Sequence, residues 1–187
     1  MEIIPLKIAG AFWIKLAPFR DHRGFFVRTY DRDILAKHGL VTEWIQESHS
    51  FAAHKDTVRG FHFQQQPYAE TKLIRVVQGK VFMAILDIRQ GSPTFGRWDS
   101  RELAFDDFGL MYVPKGVATG TCTLTDGCSL LYKMDTIYVP EAARTIRWDD
   151  PALGITWPLK AKPTISDKDK TAPLLKDFLA SEGAVAV

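Results

Sequence analysis

The chain has 187 residues, a length that fits one domain large enough to bury a hydrophobic core. Hydrophobic residues make up 46% and charged residues 25%, the balance of an ordinary globular protein. The net charge is +2 with both signs scattered, which excludes a broad nucleic-acid surface but leaves room for a few cations around one small anionic ligand.

Met1 to Leu16 show no basic stretch leading into an apolar run and a cleavage site, so no secretion signal is expected there. No apolar segment approaches membrane-spanning length, and no membrane partner is expected. Asp31 to His38 predicts a short helix, with Gly39 as its stop. From the middle of the chain onward, runs of β-branched and aromatic residues alternate with turn formers. Lys72 to Val77 is followed by a Gln78-Gly79-Lys80 turn and by Val81 to Ile88. Gly91-Ser92-Pro93, Met111 to Val113, Pro114-Lys115-Gly116 and Cys128 to Met134 continue the pattern. Many short strands with evenly spaced turns predict an all-β sandwich or barrel. Cys122 and Cys128, the only cysteines, fall in strand-like sequence and read as reduced thiols of a cytoplasmic protein. Leu174, Leu175, Phe178 and Leu179 sit at helical spacing and predict a C-terminal helix over about 172–181. Gly183 to Val187 is expected to fray. No repeat or linker divides the chain, so residues 1–187 are expected to form a single domain.

Few residues carry chemistry on local pattern alone. In Val58 to Gln64, strand alternation sends Phe61 and Phe63 to one face and His62 and Gln64 to the other. A half-buried, hydrogen-bonded histidine is the ordinary reading, and a base in a cavity mouth is the sharper one. Lys72 alternates with Ile74 and Val76; it either snorkels to solvent or, if it points inward, requires an anionic partner or ligand. Tyr132 shares a face with Leu130 and Met134, the pattern of a core tyrosine. Asp169 lies in a charged run, Ser166 to Lys170, that composition assigns to a solvated loop. A metal-dependent barrel would place a His-x-His pair and a later His together. Here the pair is broken to His62-Phe63-Gln64 and Thr119 stands where the later His would be, so no catalytic metal is expected. No phosphate-binding glycine loop or Gly-x-Ser-x-Gly elbow is present.

Taken together, several motifs in order resemble the dTDP-4-dehydrorhamnose 3,5-epimerase family over nearly the whole chain. They are Asp21-His22-Arg23-Gly24-Phe25-Phe26, Arg59-Gly60-Phe61-His62-Phe63-Gln64, Lys72-Leu73-Ile74-Arg75-Val76-Val77 and Asp87-Ile88-Arg89. Ser92 to Trp98, Tyr132-Lys133, Tyr138, Trp148-Asp149-Asp150-Pro151, Gly154 to Pro158 and Ser166 to Asp169 follow. The resemblance implies a cupin-type jelly-roll β-barrel with a few short peripheral helices. It implies a homodimer in which strands cross between subunits, with no metal and no organic cofactor. It further implies epimerisation of a nucleotide-diphosphate 4-keto-6-deoxysugar at C3 and/or C5 through an enolate, in deoxysugar biosynthesis. His62 then matches the base, Asp169 its carboxylate partner, Tyr132 the acid and Lys72 the cation near the keto oxygen. Arg23 and Arg59 match diphosphate contacts, Lys168 a further substrate contact, and Tyr138 the aromatic against the nucleotide. Those residue types suit the task. A histidine with an ordinary pKa near ~6.5 can take a proton acidified by the C4 ketone, and an ammonium can stabilise the resulting enolate.

Departures from the family pattern fall on substrate-binding positions. Arg28 stands for a Glu, Glu47-Ser48 after Gln46 stands for Asp-Asn, Met83 for an Asp, Thr119 for a His, and Ala143 for a Glu. His62, Lys72, Tyr132 and Asp169 are all present. The expectation is that the reaction class survives while the nucleotide or sugar has changed, with Arg28, Gln46, Ser48 and Thr119 among the residues facing the substrate. The rival reading is a non-catalytic sugar-nucleotide-binding protein on the same fold.

Overall fold

The structure, a computed structural model, describes residues 1–187. The alternating sequence becomes strands β1 (Glu2–Pro5), β2 (Phe12–Lys15), β3 (Phe19–Asp21), β4 (Gly24–Phe26), β5 (Gln46–Ala52), β6 (Val58–Gln64) and β7 (Lys72–Gln78). They continue as β8 (Lys80–Asp87), β9 (Trp98–Ala104), β10 (Gly109–Val113), β11 (Val117–Thr123), β12 (Cys128–Met134) and β13 (Ala143–Thr145). One sheet has the order β1-β2-β10-β7-β12-β5 and the other β13-β6-β11-β8-β9, while β3 and β4 form a separate hairpin. The sheets stack face to face as a jelly-roll-like sandwich that stays open rather than closing into a barrel. Gly79, at φ +74°, makes the one-residue turn between β7 and β8.

Three apolar layers follow from the period of two. Between the sheets, Trp13, Ile74, Val76, Met111, Val113 and Leu130 of the first meet Val81, Met83, Ile85, Leu103 and Val117 of the second. The outer face of the first sheet, including Ile14, Leu73, Leu110 and Tyr112, is covered by helix α1 (Arg32–Lys37) through Leu35. The outer face of the second, including Phe61, Phe63, Ala84, Leu86 and Ala118, is covered by the C-terminal segment through Ile146, Leu153, Trp157, Phe178 and Val185. Backbone bonds lace that segment down. Phe61 and Ile146 exchange a pair at 2.8 and 2.9 Å, and Val58 N donates to the Thr164 carbonyl at 2.9 Å.

Helix α1 lies inside the predicted 31–38, with the Asp31 carboxylate accepting from Ile34 N. The C-terminal helix, by contrast, starts later than the predicted 172. Helix α2 (Asp167–Lys170) precedes it, and α3 covers Leu175–Glu182. Pro173 keeps Ala172 out of helical geometry, and its carbonyl instead accepts from Arg147 N at 2.9 Å. The Asp150 carboxylate accepts from Leu175 N at 2.7 Å, so α3 begins there. Gly183 to Val187 does not fray as expected. Val185 is fully buried, its N donates to the Ile88 carbonyl at 2.8 Å, and its carbonyl accepts from Gln90 N at 2.9 Å. One apolar side chain seated in the outer layer and two backbone bonds outweigh the entropy of the chain end. Val185→Ala, which removes two buried methyl groups, is expected to lower unfolding free energy by about 1–2 kcal/mol, measured by urea denaturation.

Candidate active site

The open end of the sandwich holds an outer cavity of about 860 Å³ and an inner one of about 420 Å³ that runs between the sheets. Arg59, His62, Lys72 and Tyr132 line both and so form the waist between them. His62 and Arg59 come from β6, Lys72 from β7 and Tyr132 from β12, so both sheets contribute.

Strict alternation would put Arg59 on the face opposite His62. The pairing of β6 with β11 shows why it is not there: Thr119 faces His62, but Thr121 faces Arg59, leaving Gly60 and Phe61 opposite Gly120 alone. This β-bulge inserts one extra residue and turns Arg59 to the cavity side. Gly60 permits it, with φ +100° and a backbone so close to β11 that a Cβ would lie 2.5 Å from the Thr119 carbonyl oxygen. A glycine inside a strand pattern was the available signal.

Asp169, far from His62 in sequence, reaches it because α2 packs on β6. The Ser166 side chain accepts from Asp169 N at 3.2 Å and sets the start of this single turn. The run that composition assigns to a solvated loop therefore carries one of the most buried carboxylates in the chain. Its Oδ1 lies 2.7 Å from His62 Nε2, and its Oδ2 accepts from Gly60 N at 3.1 Å. Burial alone would push this carboxyl upward. The bond and charge of His62, with the Gly60 and Ser166 bonds, more than offset that and hold it below its ordinary value. An ionised Asp169 accepts from Nε2–H, which leaves the Nδ1 lone pair of His62 as the free basic position.

Lys72 does not snorkel. Its side chain is 11% exposed and its Nζ is 3.0 Å from Glu70 Oε1, the anionic partner that an inward lysine requires. Nζ also donates to the His62 carbonyl at 3.1 Å and to Thr119 Oγ1 at 3.4 Å. Tyr132 is half-buried on the cavity wall rather than sealed in the core.

Of the remaining expected residues, Gln46, Ser48, Tyr138 and Lys168 line the outer cavity, and Thr119 the inner one. Gln46 uses its carbonyl to accept from Tyr138 N at 2.5 Å, so it holds the exposed Tyr138 at the rim. Gln64 is committed to structure, donating to the Tyr68 and Ile137 carbonyls and accepting from Val139 N. Arg23 and Arg28 do not reach the cavity of their own chain. Arg23 pairs with Asp21 at 2.6 Å on the exposed β3–β4 hairpin, and Arg28 with Asp31 at 2.9 Å. Glu70 and Arg144 line the outer cavity without having been singled out in the sequence. The signal for Glu70 was the buried lysine two residues later; Arg144 had none. No three His, Cys, Asp or Glu side chains converge as a metal would require.

Other motifs that carry the resemblance prove to be scaffold. Asp87, fully buried, accepts from Arg89, Ser92 and Thr94, and these bonds hold its carboxyl low against the upward push of burial. Trp157 Nε1 donates to the Trp148 carbonyl at 2.9 Å, pinning the C-terminal cover.

A family model described as dTDP-4-dehydrorhamnose 3,5-epimerase matches residues 5–177. A dTDP-4-dehydrorhamnose 3,5-epimerase of Sinorhizobium fredii is 38% identical over 176 residues, covering 94% of this chain and 90% of that one. The crystal structure of a Bacillus anthracis dTDP-4-dehydrorhamnose 3,5-epimerase with TDP and PPi bound superposes with TM-score 0.90 at 38% identity, covering 93% of this chain and 99% of that one. A 3'-monoepimerase from Streptomyces bikiniensis, in complex with dTDP-quinovose, superposes with TM-score 0.91 at 28% identity, covering 98% and 92%.

Gly60→Ala is expected to destabilise the fold by roughly 1–3 kcal/mol or more, from the positive φ and the contact with Thr119, measured by chemical denaturation.

Proposed function

The chain belongs to the dTDP-4-dehydrorhamnose 3,5-epimerase family and is a sugar-nucleotide epimerase, and from that premise we propose how its residues act. His62 Nδ1 removes the proton from C3 or C5 of a nucleotide-linked 4-keto-6-deoxyhexose. Asp169, bonded to Nε2 at 2.7 Å, fixes the tautomer and stabilises the imidazolium that forms. Lys72 stabilises the negative charge that develops on the C4 oxygen. Tyr132, from the opposite sheet, returns a proton to the other face of the carbon, which inverts it. The single observation that carries the reading is the waist of the two cavities, where imidazole, phenol and ammonium from three strands meet.

Arg59, Lys168 and Arg144 put positive charge around the outer cavity, which suits a diphosphate, and Tyr138 at its rim suits a nucleobase. Four of the departures from the family pattern divide between the two cavities, while Arg28 and Glu47 lie outside both. Ser48 and Ala143 line the outer one, Met83 and Thr119 the inner one. Both the nucleotide side and the sugar side therefore differ, which supports a substrate other than the standard dTDP sugar and inversion at one carbon or both.

We further propose a homodimer. The β3–β4 hairpin is braced on its own chain by Phe25 against Phe108, with centroids 4.7 Å apart, yet leaves Phe19 75% and Phe26 73% exposed. Such side chains on a rigid projection fit insertion into a second copy, carrying Arg23 and Arg28 toward that copy's cavity. Cys122 and Cys128, both free and buried, support a reducing, cytoplasmic setting.

Wild-type protein is expected to introduce deuterium from D₂O at C3, C5 or both of a nucleotide-linked 4-keto-6-deoxyhexose, followed by NMR. His62→Ala should abolish exchange, while Tyr132→Phe should exchange without inverting. Inversion at the wild-type rate by either variant would remove that residue from its role. In sedimentation experiments the wild type should run at twice the chain mass and Phe19→Ser/Phe26→Ser as a monomer; a monomeric wild type would end the dimer proposal.

A further inference from the structure

An ammonium has three N–H donors, and for Lys72 all three have acceptors. Glu70 Oε1 lies at 3.0 Å, the His62 carbonyl at 3.1 Å and Thr119 Oγ1 at 3.4 Å. Thr119 Oγ1 in turn donates to the same His62 carbonyl at 3.3 Å. The two nearer acceptors are rigidly mounted. His62 belongs to β6, and Glu70 stands two residues before Lys72, in the segment that leads into β7. The backbone beside Glu70 is clamped by Thr71 N donating to Asp135 Oδ1 at 2.8 Å.

The pair is more buried than stability requires. The Lys72 and Glu70 side chains are 11% and 6% exposed, and Glu70 Oε2 is shielded from solvent without a hydrogen-bond partner. A buried ion pair with an unmatched oxygen is a poor stabilising device, because desolvation of both charges offsets their attraction. Met83, which lines the inner cavity together with Lys72, offers only a thioether, and Glu70 is the carboxylate paired with this cation.

We infer that Glu70 is a positioning residue for the epimerisation, acting through Lys72; the inference rests on the epimerase reading above. Glu70 and the His62 carbonyl hold two ammonium protons. The third, held at the longest distance by Thr119, turns to the C4 oxygen as charge develops there. Glu70 touches neither the sugar nor the transferred proton. It fixes the direction of the donor that does.

The test is deuterium uptake at C3 and C5 in D₂O, with 4-keto-6-deoxyglucose linked to dTDP, UDP, CDP and GDP as four probes, and a graded and crossed set of variants compared on the probe that the wild type exchanges fastest. Glu70→Ala should lower kcat for exchange by about 10²-fold, the scale of misplacing a catalytic group, and leave KM within about twofold. An unpaired buried ammonium strains the fold. Glu70→Gln is therefore the second variant, keeping a neutral acceptor at the same reach, with kcat down by about 3- to 10-fold and KM unchanged. In a Lys72→Met background neither substitution should reduce exchange further, since the group that Glu70 positions is gone. An equal loss in both backgrounds, or a rise in KM in place of the fall in kcat, would make Glu70 structural only. Wild-type exchange that both variants retain in full would overturn the Glu70 role alone. No exchange by the wild type on any of the four probes would overturn the epimerase reading and the Glu70 role with it.

Discussion

The 2.7 Å contact between His62 Nε2 and Asp169 Oδ1 is the constraint on which the rest depends. It joins the middle of the chain to its last quarter. Three devices must act together to make it: the bulge at Gly60 that aims β6, the Ser166 cap that starts α2, and the C-terminal cover that holds α2 against β6. Each is cheap in sequence terms, a glycine, a serine and a few aromatics. None of them looks like chemistry. An imidazole whose far nitrogen is occupied has one tautomer and one direction in which to act, and the rest of the cavity is arranged around that direction.

Seen from the cavity, the two sheets do different jobs. The sheet carrying β6 and β11 supplies the imidazole and Thr119, while the sheet carrying β7 and β12 supplies the ammonium and the phenol. An interior packed only with apolar side chains would fix the distance between the sheets but leave no charge in the gap. Here the apolar layer stops at Ile74, Met83 and Leu130, and polar groups take over toward the opening. That boundary sets the floor of the cavity. The Lys72–Glu70 pair sits on the polar side of it and keeps a full positive charge tolerable in a largely desolvated place.

Much of the fold was legible because it rests on local rules. The expected runs Lys72 to Val77 and Val81 to Ile88 become β7 and β8 on either side of Gly79, and α1 was legible from its Gly39 stop. What escaped depends on distant partners. Val185 is fixed only because Ile88 and Gln90 offer backbone groups to it, which no pattern in the tail reveals. Asp169 sits in a run of charges that reads as solvated until α2 is seen against β6. Arg59 was assigned to the cavity by resemblance alone, since plain alternation turns it away and only the bulge brings it back. Arg23, which matches the pattern, and Arg28, which departs from it, are the converse, residues that their own chain holds outside its cavity.

The cover over the outer face of β6, β8 and β11 comes from residues 146 to 185, which are made only after all three strands. During synthesis the second sheet must therefore wait with Phe61, Phe63 and Leu86 uncovered, and His62 without its carboxylate, until those residues arrive. A chain cut before residue 146 would keep those three strands but leave them apolar on one side, with no carboxylate at the far nitrogen of His62. One stretch of the chain thus both shields the sheet and orients the imidazole.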